Sequence, residues 1–148
     1  MKSKSIILLS LLCFISSLNA QFNEIYENPN FDKISKNHKT VAILPFSVIL
    51  SAKAIKGLPE GMTKEEINAQ QEDEGKSFQS SIFSRFLKKS KKYKVSFQDI
   101  DKTNALLRKN GILHSELDIY EKDSLATILG VDAVISGQIH RDKPMKTG

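Results

Sequence analysis

The stretch Leu125 to Ile139, LATILGVDAVISGQI, constrains this chain more than any other. It reads as the last turn of a helix, a stop and a buried strand. Gly130 stands where a helix needs a left-handed residue after its end, a conformation glycine adopts without steric penalty. Val131, Val134, Ile135 and Ile139 then supply the apolar, β-branched run of a strand covered on both faces. A second clear strand is Thr40 to Ile49, TVAILPFSVI. The residues between the two strands read as helices and one short strand that cover and fill one sheet.

The chain begins with a leader. Lys2 and Lys4 form a positive start, and Ile6 to Ile15 (IILLSLLCFI) is an apolar core too short for a bilayer, which needs ~20 apolar residues. Leu18-Asn19-Ala20 offers a small residue for signal peptidase. Residues 1–20 are therefore expected to be a cleavable signal peptide, the competing reading being an uncleaved anchor. Removing them takes away two lysines and no acid, so the formal charge of +5 falls to +3. That excess is too mild to argue for nucleic acid. The single cysteine, Cys13, lies inside the leader. A mature chain without it has no disulfide, thiolate metal site or cysteine nucleophile. Leu12 stands where a lipoprotein signal needs a small residue, which speaks against lipidation of Cys13.

Gln21 to Lys39 is polar and broken by the turn signal Asn28-Pro29-Asn30; an irregular arm is expected over 21–39, with Phe22, Tyr26 and Phe31 packing onto the domain. The length of 40–148 suits one domain. Pro45 cannot donate to a ladder and belongs at a strand edge, a bulge or a bend. Ser51 to Gly61 reads as a loop. Thr63-Lys64-Glu65-Glu66 is a capping box that opens a helix running to about Lys89. Ile67, Gln71, Phe78, Ile82 and Phe86 recur near helical spacing, widened by Phe83 and Leu87. Gly75 predicts a bend or break, because glycine costs ~1 kcal/mol relative to alanine in a helix. Tyr93, Val95 and Phe97 alternate with polar residues as a short, half-exposed strand. Asp99 or Asp101 caps a helix carrying Ala105, Leu106 and Leu107, and Asn110-Gly111 ends it. A last helix, about Tyr120 to Leu129, presents Leu125, Ile128 and Leu129. The order β-α-β-α-α-β predicts an α/β domain of two or three layers around a small, mostly parallel or mixed sheet.

No stretch carries a chemical signature. The histidines, His38, His114 and His140, stand alone, without the spacing of a metal site. Ser136-Gly137 lacks the frame of a nucleophile elbow, and no phosphate-binding glycine loop occurs. No catalytic residue, metal site or cofactor is assigned. Two features are candidates for binding. The first is the basic run Arg85, Lys88, Lys89, Lys91, Lys92 and Lys94, which suits a helix end and a solvated face but also an anionic partner such as a lipid or glycolipid head group. The second is the set of loops at the C-terminal ends of the strands, where open α/β sheets place ligands: Lys53, Lys56, Thr63, Asp99 and Asp101. Its alternative is an ordinary pair of connections.

The strand TVAILPF, the long helix, the short strand and then LATILGVDAVISGQI resemble the envelope α/β domains of the curli secretion protein (CsgG-like). They are also similar to the outer-membrane activators of penicillin-binding proteins, to the N-terminal domain of TolB, and to uncharacterised exported proteins of the Bacteroidetes type. The motif L-G-A/V-D-A-V/I-I-x-G matches Leu129 to Gly137. The resemblance spans roughly Thr40 to Ile139 and implies a non-catalytic envelope module working through protein contacts. The mature chain lacks the N-terminal cysteine usual in the curli and activator types. It also lacks the ~10-residue alternating segments of membrane-spanning hairpins, so pore formation is not carried over.

These readings lead to an exported accessory or scaffold protein, periplasmic or secreted and peripheral to the outer membrane, with an envelope protein as its partner. The alternative is a binder of anionic lipid or glycolipid through the basic run. Three strands are few where ~4–6 are usual. The chain is therefore expected either to be the N-terminal part of a longer protein or to have its open sheet edge filled by another chain, as in an oligomer.

Overall fold

The computed structural model describes residues 26–143. The expected signal peptide, with Cys13 and Ala20, lies outside the described residues, as do Phe22 and the residues from Pro144 on. Of the described residues, 26–35 belong to one compact unit and 36–143 to another. The first is not wholly irregular. The Asn28 side chain accepts from the Asn30 amide at 2.9 Å and its carbonyl from the Phe31 amide at 2.8 Å. These bonds turn the chain into a short helix, α1 (Phe31–Ser35). Tyr26 and Phe31 are exposed.

The second unit is a small α/β domain with parallel strands. Its elements in chain order are β1 (Thr40–Ile43), β2 (Ser47–Leu50), α2 (Ala52–Lys56), α3 (Lys64–Lys88), β3 (Ser96–Phe97), α4 (Ile100–Lys109), α5 (Lys122–Leu129), β4 (Ala133–Ile135) and β5 (Gln138–Arg141), with 3-10 turns at Ser90–Lys92 and His114–Glu116. β1 lies between β3 and β4, and β2 pairs with β5. Several boundaries follow from local chemistry. The capping box forms, with Glu66 N donating to Thr63 Oγ1 at 3.2 Å and Thr63 N to Glu66 Oε2 at 2.8 Å. Asp99 rather than Asp101 caps α4, accepting from the amides of Asp101 and Lys102. Gly130 ends α5 in the left-handed region, with φ 65°. Ser51, read as loop, caps α2 by accepting from the Ala54 amide at 3.2 Å.

β1 and β2 belong to one continuous run, as do β4 and β5. Ile43 pairs with Ile135 and Ser47 with Gln138, so Leu44-Pro45-Phe46 spans a gap that Ser136-Gly137 spans on the partner. The extra residue is a β-bulge, and the proline, which has no amide proton, is in it. Leu44 N still donates to Ile135 O at 2.9 Å and Ser47 N to Gly137 O at 3.0 Å, so the ladder resumes at once.

Below the bulge the two faces of β1 are covered. Ala42 and Leu44 join Leu107, Ile112, Leu117, Leu125 and Leu129 in an apolar core with α4 and α5. Val41 pairs with Phe97, and Phe97 stacks on Phe86 of α3 with ring centroids 4.7 Å apart, so α3 lies over the opposite face. Gln98, nearly buried, braces the first layer by donating to Leu129 O at 2.9 Å and accepting from the Thr103 hydroxyl at 2.9 Å. Asp132 ties the beginnings of β1 and β4. Its Oδ2 accepts from the amides of Lys39 and Thr40, both at 2.8 Å, while its own amide donates to Thr40 O at 2.9 Å.

Two expectations are corrected here. The β-branched run predicts a last strand covered on both faces, yet β4 and β5 are the outer strands of their pairs and Val134, Ile135 and Ile139 are only half-buried. β-branched content reports that side chains pack, not which strand is central. And α3 runs unbroken from Lys64 to Lys88 through Gly75. The glycine answers a close approach: a Cβ there would collide with the carbonyl oxygen of Phe46 and stand 2.6 Å from His114 Nε2.

Candidate functional site

The basic run occupies the end of α3 and the connection to β3. Arg85 and Lys88 lie in the last helical turn, Lys89 is the C-cap, and Lys91 and Lys92 fall in the 3-10 turn. All six cations, including Lys94, are exposed, and none forms an ion pair among the described residues. They surround an aromatic cluster in which Tyr93 meets Phe86 and Phe97 edge-on, at centroid distances of 5.4 and 5.6 Å. The run therefore sets like charges beside a packed aromatic cluster.

The strand-end residues do not converge. Lys53 and Lys56 project from α2 after β2 and are exposed, while Asp99 and Asp101 open α4 after β3. Phe97 pairs with Val41, so the aspartates stand beside the end of β1, roughly 20–25 Å along the strand direction from α2 at ~3.3 Å per residue. Thr63 lies toward the α2 end, because α3 runs against the strands, but its hydroxyl is taken by the Glu66 amide. Asp99 Oδ1 is likewise taken by its two cap bonds.

A concave site does exist elsewhere. Above the bulge, Val48 and Leu50 of β2 and Ile139 and Arg141 of β5 face α3; Ser47, Ile49, Gln138 and His140 alternate to the other face. Along the edge of β2 that is not paired with β5, between α3 and the turn after α4, lies a cleft of about 330 Å³. Its floor is Ser47, Val48 and Ile49. One wall is the first half of α3, with Asn68, Gln71 and Glu72. The other is the turn after α4, with Leu113, His114, Ser115 and Asp118.

The walls are held by polar contacts to the backbone of the first strand. Gln71 Nε2 donates to Val48 O at 2.7 Å, and further along the helix Gln79 Nε2 donates to Ile43 O at 2.7 Å. Between them, Phe46 N donates to Gly75 O at 3.2 Å. Gln71, Gly75 and Gln79 are four residues apart and form one stripe of the helix. So α3 meets the strand through a polar seam, where its spacing predicted an apolar one, and Phe78 and Leu87 of the expected stripe are exposed. His114 fixes the opposite wall. Its Nε2 lies 2.8 Å from Phe46 O, and a carbonyl only accepts, so Nε2 carries the proton. Glu74 and Arg141 pair at 2.6 Å and join α3 to the end of β5.

Sequence reasoning missed this cleft, because its residues come from three separated segments. The one available signal was the polarity of α3 before Glu74. Among the described residues no three acidic, histidine or cysteine side chains gather to hold a metal, and no helix is long and apolar enough to cross a membrane. No protein-family model matches the chain. No curated protein and no solved structure is significantly similar to it either.

Proposed function

We propose that this protein is an exported, non-catalytic accessory or scaffold module of the cell envelope that works by holding another protein. The observation that carries the reading is the outer edge of β4 and β5. These strands are paired on one side alone among the described residues, and they leave backbone donors and acceptors for a further strand. The leader and the resemblance of Leu129 to Gly137 support it. In that motif Asp132 is occupied as a backbone clamp. The test is cross-linking of the tagged protein in intact envelopes followed by purification. One recurring partner at constant stoichiometry is expected; recovery of the protein alone in repeated experiments overturns the reading.

A second reading is a binder of anionic lipid or glycolipid head groups, favoured by six exposed cations that form no ion pair among the described residues and lie next to an aromatic cluster. Vesicles of anionic lipid should bind at low salt and release the protein as salt rises, since exposed charges are screened within ~8 Å at physiological ionic strength. Binding that ignores salt, or survives reversal of Lys88, Lys89, Lys91 and Lys92 to glutamate, removes it.

A further inference from the structure

The cleft above the bulge sets two carboxyl groups among neutral polar side chains. Two of its donors are engaged, Gln71 Nε2 on Val48 O and His114 Nε2 on Phe46 O, while the Asn68 amide and the Ser47 and Ser115 hydroxyls line it as well. Its charged groups are all acceptors. Gln71 keeps its Oε1. His114, with its proton on Nε2, keeps Nδ1 as an acceptor in the neutral ring. Glu72 gives Oε1 to Lys76 at 2.6 Å and Asp118 gives Oδ2 to Gln138 at 3.2 Å, leaving one oxygen on each carboxyl group. Glu72 and Asp118 stand on opposite walls, and among the described residues no lysine or arginine lines the cleft, in a chain whose net charge is positive. The floor and rim add apolar surface from Val48, Ile49 and Leu113.

A ligand that completes this site is cationic, rich in donors, and carried on an apolar stem. An ammonium directs three donors from one compact, strongly hydrated nitrogen. A guanidinium presents five donors in a planar fork, able to reach carboxyl groups on two walls while its methylenes lie on the apolar floor. The volume, about 330 Å³, is at the small end for ligand sites and suits one side chain. We propose that the cleft binds a guanidinium group, the tip of an arginine side chain presented by a partner polypeptide between Glu72 and Asp118. The polypeptide source rests on the function proposed above; the guanidinium chemistry rests on the cleft alone.

The test is titration of the isotope-labelled protein, followed by amide resonances, with N-acetyl-argininamide and with an acetylated Ala-Val-Arg-Val-Ala peptide. Saturable shifts at Ser47, Ile49, Gln71 and Ser115 are expected with both, the peptide binding more tightly. Glu72→Gln and Asp118→Asn should each weaken binding about tenfold, the size of one charge-assisted hydrogen bond. Ser115→Lys, which places a cation in the cleft, should abolish binding while leaving the Leu125 and Leu129 resonances in place as a check on folding. Equal binding of the neutral isostere N-acetyl-citrullinamide, shifts that never saturate, or wild-type affinity in both carboxamide variants overturns the proposal. Equal affinity for the peptide and the free side-chain analogue overturns the polypeptide source. A missing envelope partner with guanidinium binding intact overturns the proposed function instead.

Discussion

The two ends of the strand pair are built on different physics. Below the bulge, β1 is buried on both faces, by α4 and α5 on one and α3 on the other. Above it, β2 and β5 are covered on one face alone. They are held there by Gln71 on a carbonyl, by the Glu74–Arg141 pair and, at the bulge itself, by His114 on Phe46 O. The apolar half gains stability from area removed from water, roughly 25 cal/mol per Å². The polar half gains position: each contact fixes one backbone atom, and each adds only ~0.5–1.5 kcal/mol net. The cleft opens where the apolar layer of α4 and α5 stops and the polar wall begins. The candidate cleft lies on the half whose geometry is set by hydrogen bonds.

The sharpest way to break this contrast is a pair of truncations. Leu125→Ala, in the fully buried core, should cost about 2–5 kcal/mol in urea unfolding. Ile49→Ala, on the open face above the bulge, should stay within about 0.5 kcal/mol of the wild type. Equal losses would mean that the upper half has a core of its own. Next in size is Gly75→Ala. Helix propensity alone favours it by ~1 kcal/mol. The added methyl would meet the Phe46 carbonyl and His114, so a net loss of about 1–3 kcal/mol is expected. A gain in melting temperature would show that α3 can slide away from the strand.

Gln79→Leu tests the seam. Gln79 is fully buried, and exchanges hydrogen bonds with Asn104 at 3.0 and 3.1 Å besides its bond to Ile43 O. Leucine would leave the carbonyl and the amide unsatisfied, at a cost of about 1–3 kcal/mol. Gln71→Leu, at a half-buried site, should cost less in the same assay. The smallest effect belongs to Asp132. Backbone hydrogen bonds from Thr40 and then Lys39 lower its carboxyl below the ordinary carboxylate value, against a smaller opposing contribution from desolvation. A group whose folded value is depressed stabilises the fold above its unfolded value and loses that stabilisation as pH falls through the folded one. Wild-type stability should therefore show an extra decline below pH ~4. Asp132→Asn should lack that component, and identical acid profiles would show that the clamp is indifferent to charge.

Much of the fold was legible wherever one residue type answers one local need. Thr63 and Glu66 close a capping box, Gly130 takes the left-handed position, and Pro45 sits in an irregular part of a strand. Legibility failed where the cause lay across space. Gly75 looked like a weakness of its helix until Phe46 was placed against it. Gln71 stood in the helical stripe with no reason for its polarity, and Gln79 gave no signal, because the carbonyls they satisfy belong to another segment. The candidate cleft draws on 47–49, 68–72 and 113–118, and no periodicity links those segments. The basic run was visible as a run, but the aromatic cluster beside it became apparent only once α3 and β3 were adjacent.

The bulge at Pro45 also works as a switch of parity. In the first strand, even-numbered Ala42 and Leu44 face the α4 and α5 core, yet beyond the bulge it is odd-numbered Ser47 and Ile49 that continue on that side. Deleting Pro45 alone would set Leu44-Phe46 against Ser136-Gly137, two residues against two, and every later residue of β2 would keep its partner and its face. Val48 and Leu50 would still lie toward α3 and Ile49 toward the open side. The bulge absorbs one extra residue locally, so the odd count is never passed along the strand.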